Sequence, residues 1–332
     1  MNHAVHALIL TTVVALPAGA FAQAAAPGKP CAPLETRPAN AAEQRPEFPA
    51  QTRACAAAAG PAFDVAVVAK GLVNPWAVEP LPGGDLLVTE RPGRLRIVTA
   101  SGAIGAPIAG LPPMDARGQG GLLDVALSPS FGSDRTVYWS FTEPRQGGNA
   151  TSVARGALSA DRSRLEQVRV IFRALPAYDG DKHFGSRLAF GPDGMLYISL
   201  GERSDKPMRP QAQQLESHMG KSLRIAPDGS VPSDNPFVGK KGAQPEIWTL
   251  GHRNVQAAAF DARGRLWHVE HGTQGGDEVN RIEKGKNGYK ILDIVAEGTS
   301  LAIAQRADYT AVIQQSNGEF DGLIRALRDK QK

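Results

Sequence analysis

The sequence predicts an all-β protein assembled from repeated blades, an array or a propeller, on three observations. One design recurs four times: Trp76-Ala-Val-Glu-Pro-Leu-Pro-Gly-Gly-Asp-Leu-Leu-Val-Thr-Glu90, Leu123 to Phe131 continuing to Val137-Tyr-Trp-Ser140, Arg187 to Gly201, and Ala257 to Glu270. Each is a short apolar strand, a turn of Pro, Gly or Asp, and a second strand of branched or aromatic residues. Units of this kind bury their faces only against neighbours, which is the physics of stacked repeats. Composition agrees: 36 Gly and 25 Pro in 332 residues, with 21% charged, suit a turn-rich β protein. The texture also persists between the repeats, in Arg94–Val98, Val168–Phe172 and Glu246–Leu250.

Taken in order, the chain begins with an apolar run from Ala7 to Phe21 that closes on Ala20-Phe21-Ala22. A small-x-small ending of this kind predicts an export signal over residues 1–22 and a periplasmic protein, although no Lys or Arg precedes the run. The run is short and holds Pro17 and Gly19, so a membrane span is not expected. Residues 23–62 are Ala- and Pro-rich without periodicity and read as a linker. Cys31 and Cys55 within it suit either one disulfide in an oxidising compartment or two unpaired thiols.

Strand, turn, strand begins at Phe63 and runs to about Ile282. The repeat spacing is irregular, about fifty to seventy residues, which predicts loops inserted at one face. After Asn287 the texture changes. Tyr289-Lys-Ile-Leu-Asp-Ile-Val-Ala-Glu297 is one alternating strand, then Ser300 is placed to cap a helix from Leu301, and a second helical stretch follows Gly318. A strand plus two helices does not belong to the repeat design.

Net charge is +4, with basic residues scattered along the chain, which argues against nucleic acid as a partner. Three polar clusters are costly to place in a β scaffold without purpose. Asp181-Lys-His183 precedes a core strand, where His183 suits a general base or a surface histidine bonded to backbone. Gly251-His-Arg253-Asn254 offers a planar cation and an amide, the pair that recognises a carbonyl or carboxylate, though polar turns of this kind are common. His271-Gly-Thr-Gln-Gly-Gly-Asp277-Glu278 is a Gly-rich turn ending in acids, suited to Ca²⁺ or to a tight structural turn. Gln119, in Gly118-Gln-Gly-Gly121, can bring an amide close to a ligand, and Glu202-Arg203 reads as a solvated surface pair. No dinucleotide fingerprint, P-loop, Gly-x-Ser-x-Gly elbow or His-Glu-x-x-His is present.

In their order, these clusters resemble the soluble quinoprotein glucose/sorbosone (aldose sugar) dehydrogenases. The residues that carry the resemblance are Gly71-Leu-Val-Asn-Pro-Trp76, Thr89-Glu-Arg91, Gly118-Gln-Gly-Gly-Leu-Leu123, His183-Phe-Gly-Ser-Arg-Leu188, Met219-Gly-Lys-Ser-Leu-Arg224, Asp234-Asn-Pro236, Gly251-His-Arg-Asn254 and Glu270-His-Gly272 through Glu278. They cover about residues 63–287. The resemblance implies a six-bladed β-propeller that binds pyrroloquinoline quinone (PQQ) over Ca²⁺ and oxidises aldoses at the anomeric carbon to lactones, with hydride passing to the quinone. It implies His183 as the base, Arg253 against the quinone oxygen, and Gln119 and Asn254 as cofactor holders. It also implies Ca²⁺ on the backbone carbonyls of Gly272 and Thr273, with Asp277 supporting that turn. Val255 and Thr273 stand where the family usually has Pro, and both still offer a carbonyl.

The resemblance ends near Asn287, so the expected propeller is incomplete, about four blades. Residues 288–332 instead resemble the C-terminus of periplasmic phospholipid carriers of the toluene-tolerance type, which implies a fusion or deletion near Asn287-Gly288. One strand and two helices do not make a lipid pocket. A catalytically dead propeller remnant that binds sugar, Ca²⁺ or a protein partner is the other reading. Neither the sugar, the electron acceptor nor the oligomeric state is legible.

Overall fold

The computed structural model describes residues 64–272, 277–285, 288–296 and 299–300. The expected signal segment, the linker with Cys31 and Cys55, Thr273 and the two expected helices of the tail lie outside the described residues.

The strands form four antiparallel sheets, each a meander of sequential neighbours. The first holds β1 (Pro75–Pro80), β2 (Leu86–Glu90) and β3 (Arg94–Val98), and the second β4 (Leu122–Leu127), β5 (Thr136–Arg145), β6 (Gly148–Leu158) and β7 (Leu165–Arg173). The third holds β8 (Leu188–Phe190), β9 (Leu196–Ser199), β10 (Lys221–Ile225) and β11 (Ile247–Leu250). The fourth holds β12 (Val255–Phe260), β13 (Leu266–Glu270), β14 (Glu278–Gly285), β15 (Gly288–Ala296) and the short β16 (Thr299–Ser300). Each sequence repeat is the first hairpin of one sheet. First strands of successive sheets meet, β1 with β4, β4 with β8 and β8 with β12, so the sheets are blades around a common axis. The fold is a β-propeller with four blades among the described residues. Only two short helical pieces interrupt the strands there, α1 (Phe131–Asp134) and a 3₁₀ turn at Arg209–Gln213.

The hairpins close in the same way where the repeats share their turn. Gly84 donates its N–H to Leu81 O, Gly194 to Gly191 O and Gly264 to Asp261 O, at 2.8–3.1 Å. All three have φ between 73° and 93°, the left-handed region that glycine enters without a Cβ penalty.

Alternation decides the packing. One face of each blade meets the next, giving three interblade cores. Ala77, Leu87 and Leu95 meet Leu122, Val125 and Trp139. Tyr138, Val153 and Phe172 meet Leu196, Ile198 and Leu223. Tyr197 and Trp248 meet Leu266 and Ile282. A buried side chain of this size contributes about 1.5–3 kcal/mol, more than an exposed ion pair, so these seams dominate the stability.

A polar device repeats at the same seams. Ala77 N donates to Thr89 Oγ1 at 2.9 Å, and Thr89 Oγ1 donates to Leu123 O in the next blade at 2.6 Å. Asp124 N, Ser140 Oγ and Ser186 O repeat the chain at 2.9 and 2.7 Å. Arg187 N, Ser199 Oγ and Val255 O repeat it again at 3.0 and 3.1 Å. β1, β4 and β12 each shift register where they enter the blade, and the seam hydroxyl serves the N–H that the first two shifts free. Val269, the partner of Ala257, takes the corresponding place in blade 4 and is 44% exposed.

β15 starts at Gly288, where the second resemblance was expected to begin, and pairs with β14 from Gly285↔Gly288 to Glu278↔Ala296. The alternating strand expected there is present. Ser300, expected to cap a helix, is the last residue of β16.

Candidate functional site

The segments entering β1, β4, β8 and β12 and leaving β2 and β13 converge at one end of the blades. They enclose a cleft of ≈ 250 Å³. Trp76 and Arg91 line it from blade 1, Gln119 and Leu123 from blade 2, Phe184 and Gly185 from blade 3, and Asn254, Gln256 and His271 from blade 4. Irregular backbone gathered at one end of a rigid sheet stack is where binding groups are placed most readily.

His183 stands immediately before the residues that line the cleft on blade 3. It is 8% exposed, and its Nδ1 lies 2.8 Å from Glu202 Oε2. The reading of a surface histidine bonded to backbone is therefore corrected: the ring is buried against a carboxylate. A carboxylate on Nδ1 favours the tautomer with the proton there, leaving Nε2 to accept one. Its backbone N–H donates to Gln119 Oε1 at 2.8 Å, and its φ is 48°, an uncommon value for a residue with a Cβ. Conformations of this kind persist where surroundings over-determine them, and they cluster at functional sites.

The surroundings here are specific. Gly201 packs so closely that a Cβ on it would collide with His183 O and would approach Asn254 Oδ1 to 2.9 Å. Gly185 N donates to Asn254 Oδ1 at 3.1 Å, and Gln256 Nε2 donates to the same oxygen. The oxygens of Gln119 and Asn254 are thus committed within the protein, which leaves each NH₂ as the end available to a ligand.

Glu202-Arg203, expected as a solvated surface pair, is buried, at 4% and 1% exposure. The two side chains also serve different partners. Glu202 Oε2 takes His183 and Ser204 N, while Arg203 donates to Asn149 Oδ1 at 2.6 Å, Gly180 O at 2.7 Å and Lys182 O at 3.1 Å. The Arg203 guanidinium also sits 4.2 Å from the Phe184 ring centroid. Burial pulls its pKa down to about 10. Arg203 therefore pins the loop that delivers His183, and the surface reading failed because adjacent opposite charges look the same in sequence whether or not they pair.

On blade 4, Glu270 organises the turn that carries Arg253 and Asn254. It accepts from Arg253 N and from the His252 ring, whose Nδ1 is 2.9 Å away. Burial pushes the Glu270 carboxyl up, but the His252 ring and the backbone N–H groups of Arg253 and Asn254 together outweigh that, so its pKa falls below the ordinary value. Arg253 Nη1 donates to His271 O at 3.0 Å, and Glu202 N donates to Arg253 O at 2.9 Å. The arginine-bearing turn is thereby tied to the glutamate that holds the His183 ring.

Of the residues proposed for a metal, Gly272 and Asp277 are described. Asp277 Oδ1 accepts from Gly272 N at 2.8 Å and lies 3.6 Å from His271 Nδ1. Among the described residues no group of three His, Cys, Asp or Glu is placed to hold a metal. Carbonyl ligation needs no such group. Gln119 and Asn254 line the cleft, and His183 and Arg253 are hydrogen-bonded to its walls. Sequence reasoning missed Glu202, Arg203, His252 and Glu270 as supports. It also missed Trp76 and Arg91 as lining residues, although both stand in quoted motifs. In the lining, Arg91 supplies positive charge, Gln119 and Asn254 supply amide donors, and Trp76 and Phe184 supply rings.

Comparison with known proteins follows the same lines. The Glucose / Sorbosone dehydrogenase family profile matches residues 72–315, a span that ends inside the tail. The chain is 42% identical over 233 residues to aldose sugar dehydrogenase YliI of Escherichia coli, covering 69% of this chain and 62% of that protein. It is 33% identical over 251 residues to quinoprotein glucose dehydrogenase B of Acinetobacter calcoaceticus, covering 68% and 52%. Among solved structures, the PQQ-bound form of aldose sugar dehydrogenase from Streptomyces coelicolor superposes with a TM-score of 0.59 at 34% identity, covering 70% of this chain and 71% of that one. The chain spans about three fifths or less of the length of these two sequence relatives.

Proposed function

The chain belongs to the glucose/sorbosone dehydrogenase family, and from that premise we propose that it oxidises aldose sugars at the anomeric carbon to lactones, with PQQ and Ca²⁺ bound at the cleft. The observation that carries the reading is His183, buried against Glu202 beside a cleft of amides, cations and aromatic rings. The names of the relatives supply the substrate class and the cofactor: aldose sugar, glucose, quinoprotein, PQQ-bound.

When bound, PQQ supplies a two-electron acceptor for the sugar. The protein's own residues do the rest. His183, held through Nδ1 by Glu202, takes the proton of the anomeric hydroxyl at Nε2, as a general base does near neutral pH. Arg253 fixes positive charge where negative charge develops on reduction. Gln119 and Asn254 donate amide N–H groups to the cofactor. The carbonyls of Gly272 and Thr273 hold Ca²⁺, and Asp277 braces their turn by accepting Gly272 N–H.

The protein functions in the periplasm, delivered by the apolar N-terminal segment, and passes its electrons to a further acceptor. Among the described residues no helix is long and apolar enough to cross a membrane. Residues 288–332 carry the carrier-like resemblance as a part of the proposal separate from catalysis.

The test is to reconstitute the purified chain with PQQ and Ca²⁺ and to assay an aldose for lactone formation with an artificial acceptor. Lactone dependent on both additions supports the reading. Absence of stable PQQ binding rejects the cofactor assignment and favours the non-catalytic remnant, and tight PQQ binding without lactone keeps the cofactor site but rejects sugar oxidation by this chain.

A further inference from the structure

Trp76 is the one aromatic residue that lines both the polar cleft and a second, apolar pocket of ≈ 310 Å³ on the flank of blade 1. Its side chain thus borders both. A cation stands against its ring. The Arg187 guanidinium carbon lies 5.3 Å from the Trp76 ring centroid, within the range of a cation–π contact.

Arg187 is held firmly in that place. Its Nη1 donates to Asp124 Oδ1 at 2.6 Å, and Asp124 Oδ2 accepts Leu188 N at 2.6 Å. Asp124 is 1% exposed, so removing its partner would strand a buried charge, a strongly unfavourable change. Three blades thus contribute to one assembly: Trp76 from blade 1, Asp124 from blade 2 and Arg187 from blade 3. Arg187 also closes the His183–Arg187 segment, so the loop that presents the base ends at the cation against the tryptophan.

We propose that Trp76 is the stacking platform of the cleft, on which the planar ring of an electron-poor, anionic cofactor lies, with Arg187 and Asp124 positioning it. The inference rests on the reading of the cleft as a PQQ site. An indole is electron-rich and prefers offset stacking on a flat partner. A fused ring bearing a quinone and carboxylates is electron-poor and negative, so the Trp76 face and the nearby Arg187 charge both attract it. Neither residue exchanges a proton or electron with the substrate in this account.

The experiment is equilibrium dialysis of the purified chain against PQQ in the presence of Ca²⁺, with circular dichroism of the quinone band recorded on the bound form. Wild-type protein binds PQQ and induces a signal in that band. Trp76→Leu weakens binding about tenfold or more and abolishes the signal, while Trp76→Phe, which keeps a flat ring, stays within about threefold and retains it. Arg187→Met, compared at a far-ultraviolet circular dichroism spectrum matching the wild type, weakens binding by about threefold to tenfold, and wild-type affinity in that variant removes Arg187 from the positioning role. Trp76→Phe also guards against a folding defect, because Trp76 packs on the first interblade core as well. Trp76→Leu binding with wild-type affinity, or Trp76→Phe binding as weakly as Trp76→Leu, overturns the platform and leaves the PQQ reading standing. Wild-type protein that takes up no PQQ overturns both.

Discussion

Nδ1 of His183 lies 2.8 Å from Oε2 of Glu202, and the backbone N–H of the same glutamate donates to Arg253 O at 2.9 Å. One residue thus orients the base on blade 3 and ties that blade to the arginine of blade 4. The consequence for catalysis is specific, because a neutral amide at position 202 can present its NH₂ to Nδ1 and stabilise the wrong tautomer. Glu202→Gln is expected to lower turnover by on the order of 10²-fold, with PQQ affinity little changed. Steady-state kinetics on reconstituted protein, with PQQ binding measured in parallel, checks this. Equal losses in turnover and cofactor binding would mean that Glu202 only holds the fold.

The seam hydroxyls make a separate, purely structural prediction. Thr89→Val keeps the shape of the side chain but leaves Leu123 O and Ala77 N without their shared partner. Each such loss costs about 1–3 kcal/mol when the stranded group is buried. Ser199→Ala acts at a different seam, so the two effects should add to within about 0.5 kcal/mol. Urea unfolding of both single variants and the double variant measures this. A double variant no less stable than either single one would contradict independent seams.

Lys221 sets a pH dependence on the alkaline side. Burial pulls its ammonium down to about 7 from an ordinary value of 10.5, although Nζ donates to Gln211 O and Met219 O at 2.7 and 2.8 Å. Between those values the unfolded chain binds a proton that the folded chain does not. Stability therefore rises with pH above about 7, by at most about 1.4 kcal/mol per unit, and this contribution is flat below 7. Thermal midpoints from pH 7 to 9 should climb in the wild type and flatten in Lys221→Met. Parallel slopes in the two proteins would show that Lys221 stays charged in the fold.

Asp277 offers a test of the metal proposal that does not need turnover. Its Oδ1 accepts Gly272 N–H, so Asp277→Ala frees the turn whose carbonyls are assigned to Ca²⁺. Calorimetric titration with Ca²⁺ in the presence of PQQ should show affinity reduced about tenfold or more, and a chelator should release the cofactor from the wild type. PQQ retained by the wild type in excess chelator would remove Ca²⁺ from the account.

The blade hairpins were legible because each repeat states its alternation and its turn in one contiguous stretch. Leu86–Glu90 and Leu196–Ser199 sit where the second strands of repeats one and three were expected. Outer strands such as Gly148–Leu158 were harder, since Gly-Asn-Ala-Thr-Ser carries little hydrophobic contrast although much of the strand is buried. At the site, residues bearing distinctive chemistry in short motifs stood out, and His183, Arg253 and Asn254 were singled out that way. Glu202, Arg203 and Glu270 were not recognised as supports, because their partners lie 17–54 positions away in sequence and only the stacking of blades brings them together. Trp76 escaped for a related reason: its motif marks a strand entrance, while its cation comes from two blades further on.

Single-turnover reduction tests the central claim most directly, with His183→Gln and wild-type protein each loaded with PQQ and Ca²⁺ and mixed with excess aldose while the quinone absorbance is followed. The account predicts rapid bleaching in the wild type and bleaching slowed by about 10²–10⁴-fold in His183→Gln at unchanged cofactor loading. Bleaching at the wild-type rate in His183→Gln would remove the histidine from its role as base.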